Sequence, residues 1–264
     1  MKLIPYICCG DPNLNFSYDL VKTLIPYSDA IELGIPFSDP IADGKTIQAA
    51  IFRALKNKIT VLDCFALVKK IRKENTVIPL YFMTYSNIVY SFGIENFFKK
   101  MNSLNMQGIV IPDLPFEEDE NFEKFSDKYK IEVIKLITLN TRKVRLRRLL
   151  KYTQSFAYLV SSTGTTGTRN GFAKESIAFV KRVRKLTQKQ LFVGFGIADK
   201  TQVNVFAKAG ADGVVIGSKF IELYSKKMTQ NSKNRIKNAK KVLFDIKKLA
   251  QEIKSAKTLN IVNI

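Results

Sequence analysis

The stretch "IELGIPFSDPIADG" (31–44) sets Glu32 inside an apolar run and places Asp39 and Asp43 in the polar segment that follows. A carboxylate buried without a partner costs several kcal/mol or shifts its pKa and neutralises. Side chains alternate along a strand, so Ala30, Glu32 and Gly34 share one face while Ile31 and Leu33 share the other. Small neighbours suit an interior with space for a ligand, and branched apolar residues suit a face packed on helices. Pointing inward, Glu32 has its pKa raised by desolvation, the condition of a general acid/base. The structural alternative is a glutamate satisfied by backbone donors or a lysine. Asp43 precedes a glycine, which alone is turn chemistry; only the shared loop ties it to Glu32. The chain contains no histidine. That excludes histidine triads and HExxH zinc sites, and leaves acid–base work to carboxylates, Lys, Tyr or Cys.

Two further stretches fit an anion. "LFVGFGI" (191–197) and "GVVIGS" (213–218) end in Gly194, Gly196, Gly217 and Ser218, each just ahead of a helical pattern. Glycines let backbone N–H groups approach a phosphate, and a helix N-terminus adds a favourable dipole; plain turns are the alternative. "GFGIAD" is not a dinucleotide fingerprint, because its sixth residue is Asp199. "SSTGTTGTRNGFAKE" (161–175) is long, polar and rich in Gly and Thr, either a mobile lid or a plain surface loop. Lys135 in "VIKLI" is a rival catalyst, since a strand lysine can form a Schiff base. It shares a face with Val133 and Ile137, and alternation leaves open which face points inward. The cysteines, Cys8, Cys9 and Cys64, are odd in number and form no CxxC pair, which argues against a disulfide framework or a metal site and fits a reducing compartment.

Eight apolar runs must position these residues: 3–9, 29–35, 77–85, 108–114, 132–138, 156–162, 191–197 and 213–218. Most are near-continuously apolar, as in parallel strands covered on both faces. Amphipathic stretches lie between them, such as 61–75, 94–104 and 175–188. Eight β-then-α units over 264 residues predict a single-domain (β/α)8 TIM barrel spanning 1–264, with an open doubly wound sheet as the alternative. In such a barrel the site lies at the C-terminal ends of the strands. The net charge of +20 describes a Lys-rich solvated surface; the alternative of a nucleic-acid-binding barrel predicts weak, salt-sensitive binding without sequence preference. No apolar run is long enough for a membrane span, and the N-terminus does not read as a signal peptide.

In order along the chain, "CCGDPN", "IELGIPFSDPIADGKTIQ", "MTYSNIV", "VIPDLPFEE", "GTTGTR", "VGFGI" and "GADGVVIGS" resemble the tryptophan synthase alpha-chain family between about Pro5 and Ser218. The resemblance implies a (β/α)8 barrel that cleaves indole-3-glycerol phosphate to indole and glyceraldehyde 3-phosphate. It implies Glu32 as the catalytic acid/base and Asp43 as the group that holds the indole N–H. It further implies Thr166 as a lid residue reaching Asp43, Tyr158 as a pocket wall and Phe195 against the indole. Gly167, Gly196, Gly217 and Ser218 resemble the phosphate cradle. No metal and no organic cofactor are implied for this chain, since pyridoxal phosphate belongs to the partner beta chain of an α2β2 tetramer. Contact with that partner is implied near Asp39, Pro40 and Pro115. A free-standing indole-producing lyase is the nearest enzyme alternative, and the compartment is plastid stroma or bacterial cytoplasm. Two departures stand out: the family's extra helix before the first strand is missing, and "ITLNT" (137–141) replaces an expected Pro-containing turn. The apolar "TLNIVNI" (258–264) is expected to cover the barrel bottom in place of that helix, with a frayed terminus as the alternative.

Overall fold

A computed structural model of the chain describes residues 1–118, 120–160, 169–194, 196–197, 199–228 and 235–256. The strands are β1 (Lys2–Cys8), β2 (Ile31–Gly34), β3 (Leu80–Met83), β4 (Gly108–Val110), β5 (Glu132–Ile134), β6 (Leu136–Thr138), β7 (Phe156–Val160), β8 (Gln190–Gly194) and β9 (Gly213–Ile216). All pairings are parallel, in the order β5-β4-β3-β2-β1-β9-β8-β7-β6. The two ends of that order are consecutive in the chain and separated by Lys135 alone. The fifth apolar run is thus split between its neighbours: β5 pairs β4 through Ile109↔Val133, and β6 pairs β7 through Ile137↔Leu159. The nine segments form a nearly closed eight-stranded barrel, and the open-sheet alternative falls. Several strands are shorter than their apolar runs. Pro79 stands just before β3 and Pro112 just after β4, and a proline has no N–H for the ladder.

Helices return the chain after every strand but β5: α1 (Leu14–Leu24), α2 (Lys45–Lys56), α3 (Val61–Glu74), α4 (Ser86–Phe92), α5 (Ile94–Ser103), α6 (Glu120–Tyr129), α7 (Lys143–Tyr152), α8 (Arg169–Arg184), α9 (Lys200–Ala209), α10 (Ser218–Met228) and α11 (Arg235–Lys254). Capping chemistry sets the start of α3: the Asp63 amide donates to Thr60 Oγ1, while the Thr60 amide donates to the Asp63 carboxylate. One expectation needs correcting. The supposed loop 161–175 is shorter, because α8 begins at Arg169; Asn170 and Gly171 are poor helix formers and disguise that start. At the barrel bottom α11 ends beside the start of β1. There the Met1 ammonium donates to the Ala256 carbonyl at 3.0 Å, and Lys254 pairs with Asp29, which also accepts the Leu3 amide at 2.8 Å. The last helix therefore ends on the bottom face, as antiparallel packing on its strand requires. The 258–264 tail lies outside the described residues.

A buried ion pair joins three elements near the site. Asp11, fully buried in the loop after β1, accepts two hydrogen bonds from Arg53 of α2 at 2.7 Å each and one from the Tyr224 hydroxyl of α10 at 2.6 Å. It binds together the two helices whose N-termini open onto the catalytic face. Removing one partner of a buried pair strands the other. The Arg53 side chain keeps 26% of its surface exposed, so Arg53→Met is expected to cost about 3 kcal/mol, near the lower bound for such a loss. Arg145→Met breaks a pair with Glu117 in which both side chains are nearly half exposed, and should cost about 1 kcal/mol or less. Urea unfolding of both variants checks the contrast; equal losses would mean Asp11 is stabilised without Arg53.

Candidate active site

A cavity of about 720 Å³ opens at the C-terminal ends of the strands, with Tyr6, Glu32, Met83, Leu136, Tyr158, Gly196, Gly217 and Ser218 in its wall. The register places Tyr6 beside Glu32 on the inner face. Two glycines make room for the aromatic walls: a Cβ at Gly34 would lie 2.1 Å from the Tyr6 hydroxyl, and one at Gly194 would lie 2.5 Å from the Tyr158 ring. Gly194 thus makes room for Tyr158 and is not among the residues of the cavity wall.

Glu32 is 2% exposed, and its Oε1 has no hydrogen-bond partner among the described residues. Burial, and then the nearby Asp43, push its pKa up to about 8. The shift favours the neutral carboxylic acid at pH 7. Asp43 is also buried, so it is no solvated turn aspartate. Its Oδ2 accepts from the Tyr85 hydroxyl at 2.7 Å, and its Oδ1 has no partner among the described residues. Burial raises its pKa to about 6 while the Tyr85 hydrogen bond opposes the rise, so Asp43 is largely ionised at pH 7. Ala42 and Gly44, on either side of it, line the cavity. A carboxyl group on β2 and another on the loop that follows are thus pushed toward opposite protonation states, the division of labour an acid–base pair needs.

At the ends of β8 and β9 the chain offers a candidate anion site built from backbone. Gly196 has φ +78°, which favours glycine. A Cβ at Gly217 would lie 2.8 Å from the Tyr6 ring, so only a residue without a side chain fits there. Ser218 opens α10, and the Gly217 carbonyl accepts the Ile221 amide at 3.1 Å. The free amides of that first turn lie at the cavity edge. Tyr158, Gly196, Gly217 and Ser218 therefore meet Glu32 around one space; Thr166, Gly167 and Phe195 lie outside the described residues.

The structure settles which way Lys135 faces. Leu136 and Thr138 line the cavity, so Lys135 points to the helix side, where it pairs with Glu123 of α6 and sits 5.1 Å from the Phe116 ring centre. The Schiff-base alternative falls. Three residues without a sequence assignment belong to the site. Thr138 and Asn140 line the cavity from "ITLNT", where Thr141 Oγ1 accepts the Thr138 amide at 3.1 Å and holds the turn without a proline. Tyr85 sat unassigned within "MTYSNIV"; its place at a strand end was the available signal. Asp39 and Pro115 are exposed and Pro40 is half-buried, on the loops after β2 and β4. The loop between those two ties to each: Tyr85 accepts the Ala42 amide at 3.1 Å, and Ser86 donates to Asp113 at 2.9 and 2.8 Å. Next to Pro40, Ile41 is 82% exposed.

The tryptophan synthase alpha-chain family model matches residues 1–254. The tryptophan synthase alpha chain of Methanococcus vannielii is 40% identical over 221 residues, covering 84% of this chain and 85% of that one. The alpha chain of Buchnera aphidicola subsp. Schlechtendalia chinensis is 36% identical over 235 residues, covering 86% and 87%. A chain in the crystal structure of the tryptophan synthase complex from Pyrococcus furiosus superposes with a TM-score of 0.83 at 32% identity, over 96% of this chain and 97% of that chain. Matched along nearly its whole described length in sequence and in shape, the chain belongs to the tryptophan synthase alpha-chain family.

Proposed function

We infer that the chain, working as one barrel, is the lyase that splits indole-3-glycerol phosphate into indole and glyceraldehyde 3-phosphate by a retro-aldol step. The observation that carries this is a pair of buried carboxyl groups at one cavity, Glu32 on β2 and Asp43 on the loop after it, each with one oxygen unpartnered among the described residues, and with burial raising the pKa of Glu32 further than that of Asp43. The substrate's phosphate sits on the α10 N-terminus with Gly196, Gly217 and Ser218, which sets the indole between Glu32 and Asp43. Glu32 donates its proton to the ring carbon that bears the glycerol chain. Asp43 accepts the indole N–H and stabilises the positive charge that develops on the ring. Glu32, now a carboxylate, takes the proton of the glycerol hydroxyl; the carbon–carbon bond breaks, its electrons restore the aromatic indole, and the hydroxyl carbon becomes the aldehyde. One proton enters and one leaves, so Glu32 ends as it began. Tyr158 and Phe195 flank the ring, and Thr166 reaches Asp43 on closure. No step calls on a metal or an organic cofactor.

The likeness to a chain of the α2β2 tryptophan synthase of Pyrococcus furiosus supports a beta chain as partner, with Asp39, Pro40 and Pro115 in the contact and pyridoxal phosphate held by that partner. No described helix is long and apolar enough to cross a membrane. All three cysteines are free and buried, which supports a reducing compartment, bacterial cytoplasm or plastid stroma.

Three outcomes follow. Glu32→Gln should lower turnover of indole-3-glycerol phosphate by ~10²–10⁴-fold, the worth of a general acid/base, with folding kept by circular dichroism; near-normal turnover would remove Glu32 from the mechanism. The same variant should change how stability depends on pH. Glu32 rises from an ordinary 4.5 to about 8 in the folded protein, so between those values the native state binds a proton that the unfolded chain lacks. Its stabilising contribution is complete below 4.5 and is lost as pH rises, by at most about 1.4 kcal/mol per pH unit. Urea midpoints of the wild type should therefore fall between about pH 5 and 8, and Glu32→Gln should flatten that decline. Finally, borohydride added with substrate should trap no covalent adduct on Lys135, by mass spectrometry; a reduced adduct there would restore the Schiff-base route.

A further inference from the structure

Tyr85 stands two residues beyond β3 and is 3% exposed. Its hydroxyl donates to Asp43 Oδ2 at 2.7 Å and accepts the Ala42 amide at 3.1 Å. Its ring stacks on Phe37, with centroids 5.1 Å apart and planes at 30°. Phe37, Ala42 and Asp43 belong to one loop, so a single side chain grips that loop at three points. The grip is itself anchored, because the next residue, Ser86, bonds both carboxylate oxygens of Asp113 through its amide and hydroxyl.

A phenol has one proton to give, and here Asp43 takes it. Nothing remains for Tyr85 to donate to a substrate, and burial together with Asp43 pushes its pKa far up, so it is no acid. What it does is geometric. Holding Oδ2 leaves Oδ1, the oxygen without a partner among the described residues, as the acceptor available to a ligand. The other titratable groups acting on this region are Glu32 of β2, Tyr6 and Cys8 of β1, Tyr158 of β7 and, through Tyr85, Asp113; Lys45 lies two residues on, at the start of α2. None of the neutral ones donates a hydrogen bond to Asp43 among the described residues. The Tyr85 hydrogen bond is what favours the ionised form of Asp43 against its burial.

We propose that Tyr85 is a positioning residue for the proposed lyase reaction, fixing the Asp43 carboxylate with one oxygen free for the indole N–H and locking it to the loop that runs from Phe37 to Ala42. The role rests on the assignment of Asp43 above, and its test must separate the two.

Tyr85→Phe keeps the ring and its stack and removes only the hydroxyl. In the full-length protein, carbon-13 NMR of the Asp43 side chain should show its titration moving to higher pH, a readout that needs no substrate. With indole-3-glycerol phosphate, kcat should fall about 10- to 100-fold, the worth of one hydrogen bond to a charged group. KM should stay within about twofold, since the phosphate cradle is untouched, and the acid limb of the kcat profile should move up with the Asp43 titration. In an Asp43→Asn background the same change should alter kcat by less than about twofold. An Asp43 titration unmoved by Tyr85→Phe, or a full further loss in the Asp43→Asn background, would overturn the proposal. If Tyr85→Phe does not fold, Phe37→Leu, which frees the ring but keeps the hydroxyl, must shift the titration in the same direction, and an unchanged titration overturns it equally. A wild-type protein that leaves the substrate uncleaved while Tyr85→Phe still moves the Asp43 titration would defeat the lyase assignment and leave the positioning intact.

Discussion

Everything about the site depends on keeping Glu32 dry. A glutamic acid in water gives up its proton well below pH 7 and has none to offer at neutrality. Inside the barrel, burial makes the charged form the costly one, and the ionised Asp43 beside it adds repulsion. The two effects act in the same direction because Asp43 has its own reason to stay charged, the hydrogen bond from Tyr85. The curled, nearly closed sheet supplies the dryness: β2 is buried along its whole length, with Tyr6 on one side in register with Glu32 and Tyr81 on the other. An open sheet would leave an edge and a wet face.

This arrangement is expensive to fold. Glu32 Oε1 and Asp43 Oδ1 are buried without partners among the described residues, and each such oxygen costs about 1–3 kcal/mol. The stabilisation lies elsewhere, in aromatic packing and in well-matched polar pairs away from the chemistry. Below the cavity, Tyr81, Phe156 and Phe192 meet edge to face or tilted, with centroids 5.6 and 4.8 Å apart. Beside it, Asp11 is satisfied by three donors and joins α2 to α10. The two buried aspartates on this side of the barrel differ in just this respect. Asp11 has both oxygens engaged and holds helices together; Asp43 keeps one oxygen without a partner among the described residues, as its proposed role requires.

The barrel was legible because its strands are buried on both faces and so read as apolar runs. Glu32 was legible for the same reason, as a charge inside such a run with the small residues Ala30 and Gly34 on its face. Lys135 shows the limit. It is also a charge in a strand, but alternation gives two faces without naming the inner one, and only the pairing of Leu136 with Tyr158 decides it. The split of the fifth run at Lys135 was equally invisible, since a strand that trades one neighbour for the other keeps an unbroken apolar pattern. Asp43 looked like turn chemistry because burial of a loop side chain comes from the loops around it. Tyr85, Thr138 and Asn140 escaped notice on the same ground: a strand end carries no periodicity to mark which side chain turns inward.

The charge distribution now makes sense on its own terms. The chain carries a formal net charge of +20, yet the wall proposed to hold the phosphate is made of glycine backbone, Ser218 and the first turn of α10. A lysine beside the phosphate would bind it more strongly, but a cation within ~4–6 Å of a carboxyl group favours the carboxylate. Placed in this small cavity it would pull Glu32 back toward the ordinary range and take away its proton at neutral pH. Backbone dipoles avoid that conflict, since their field falls off within the first turn of the helix. Lys45, the basic residue of the cavity wall, is exposed, and burial and Asp43 remain what set the pKa of Glu32. The proposed need for an uncharged acid in the cavity thus favours holding the anion by backbone dipoles.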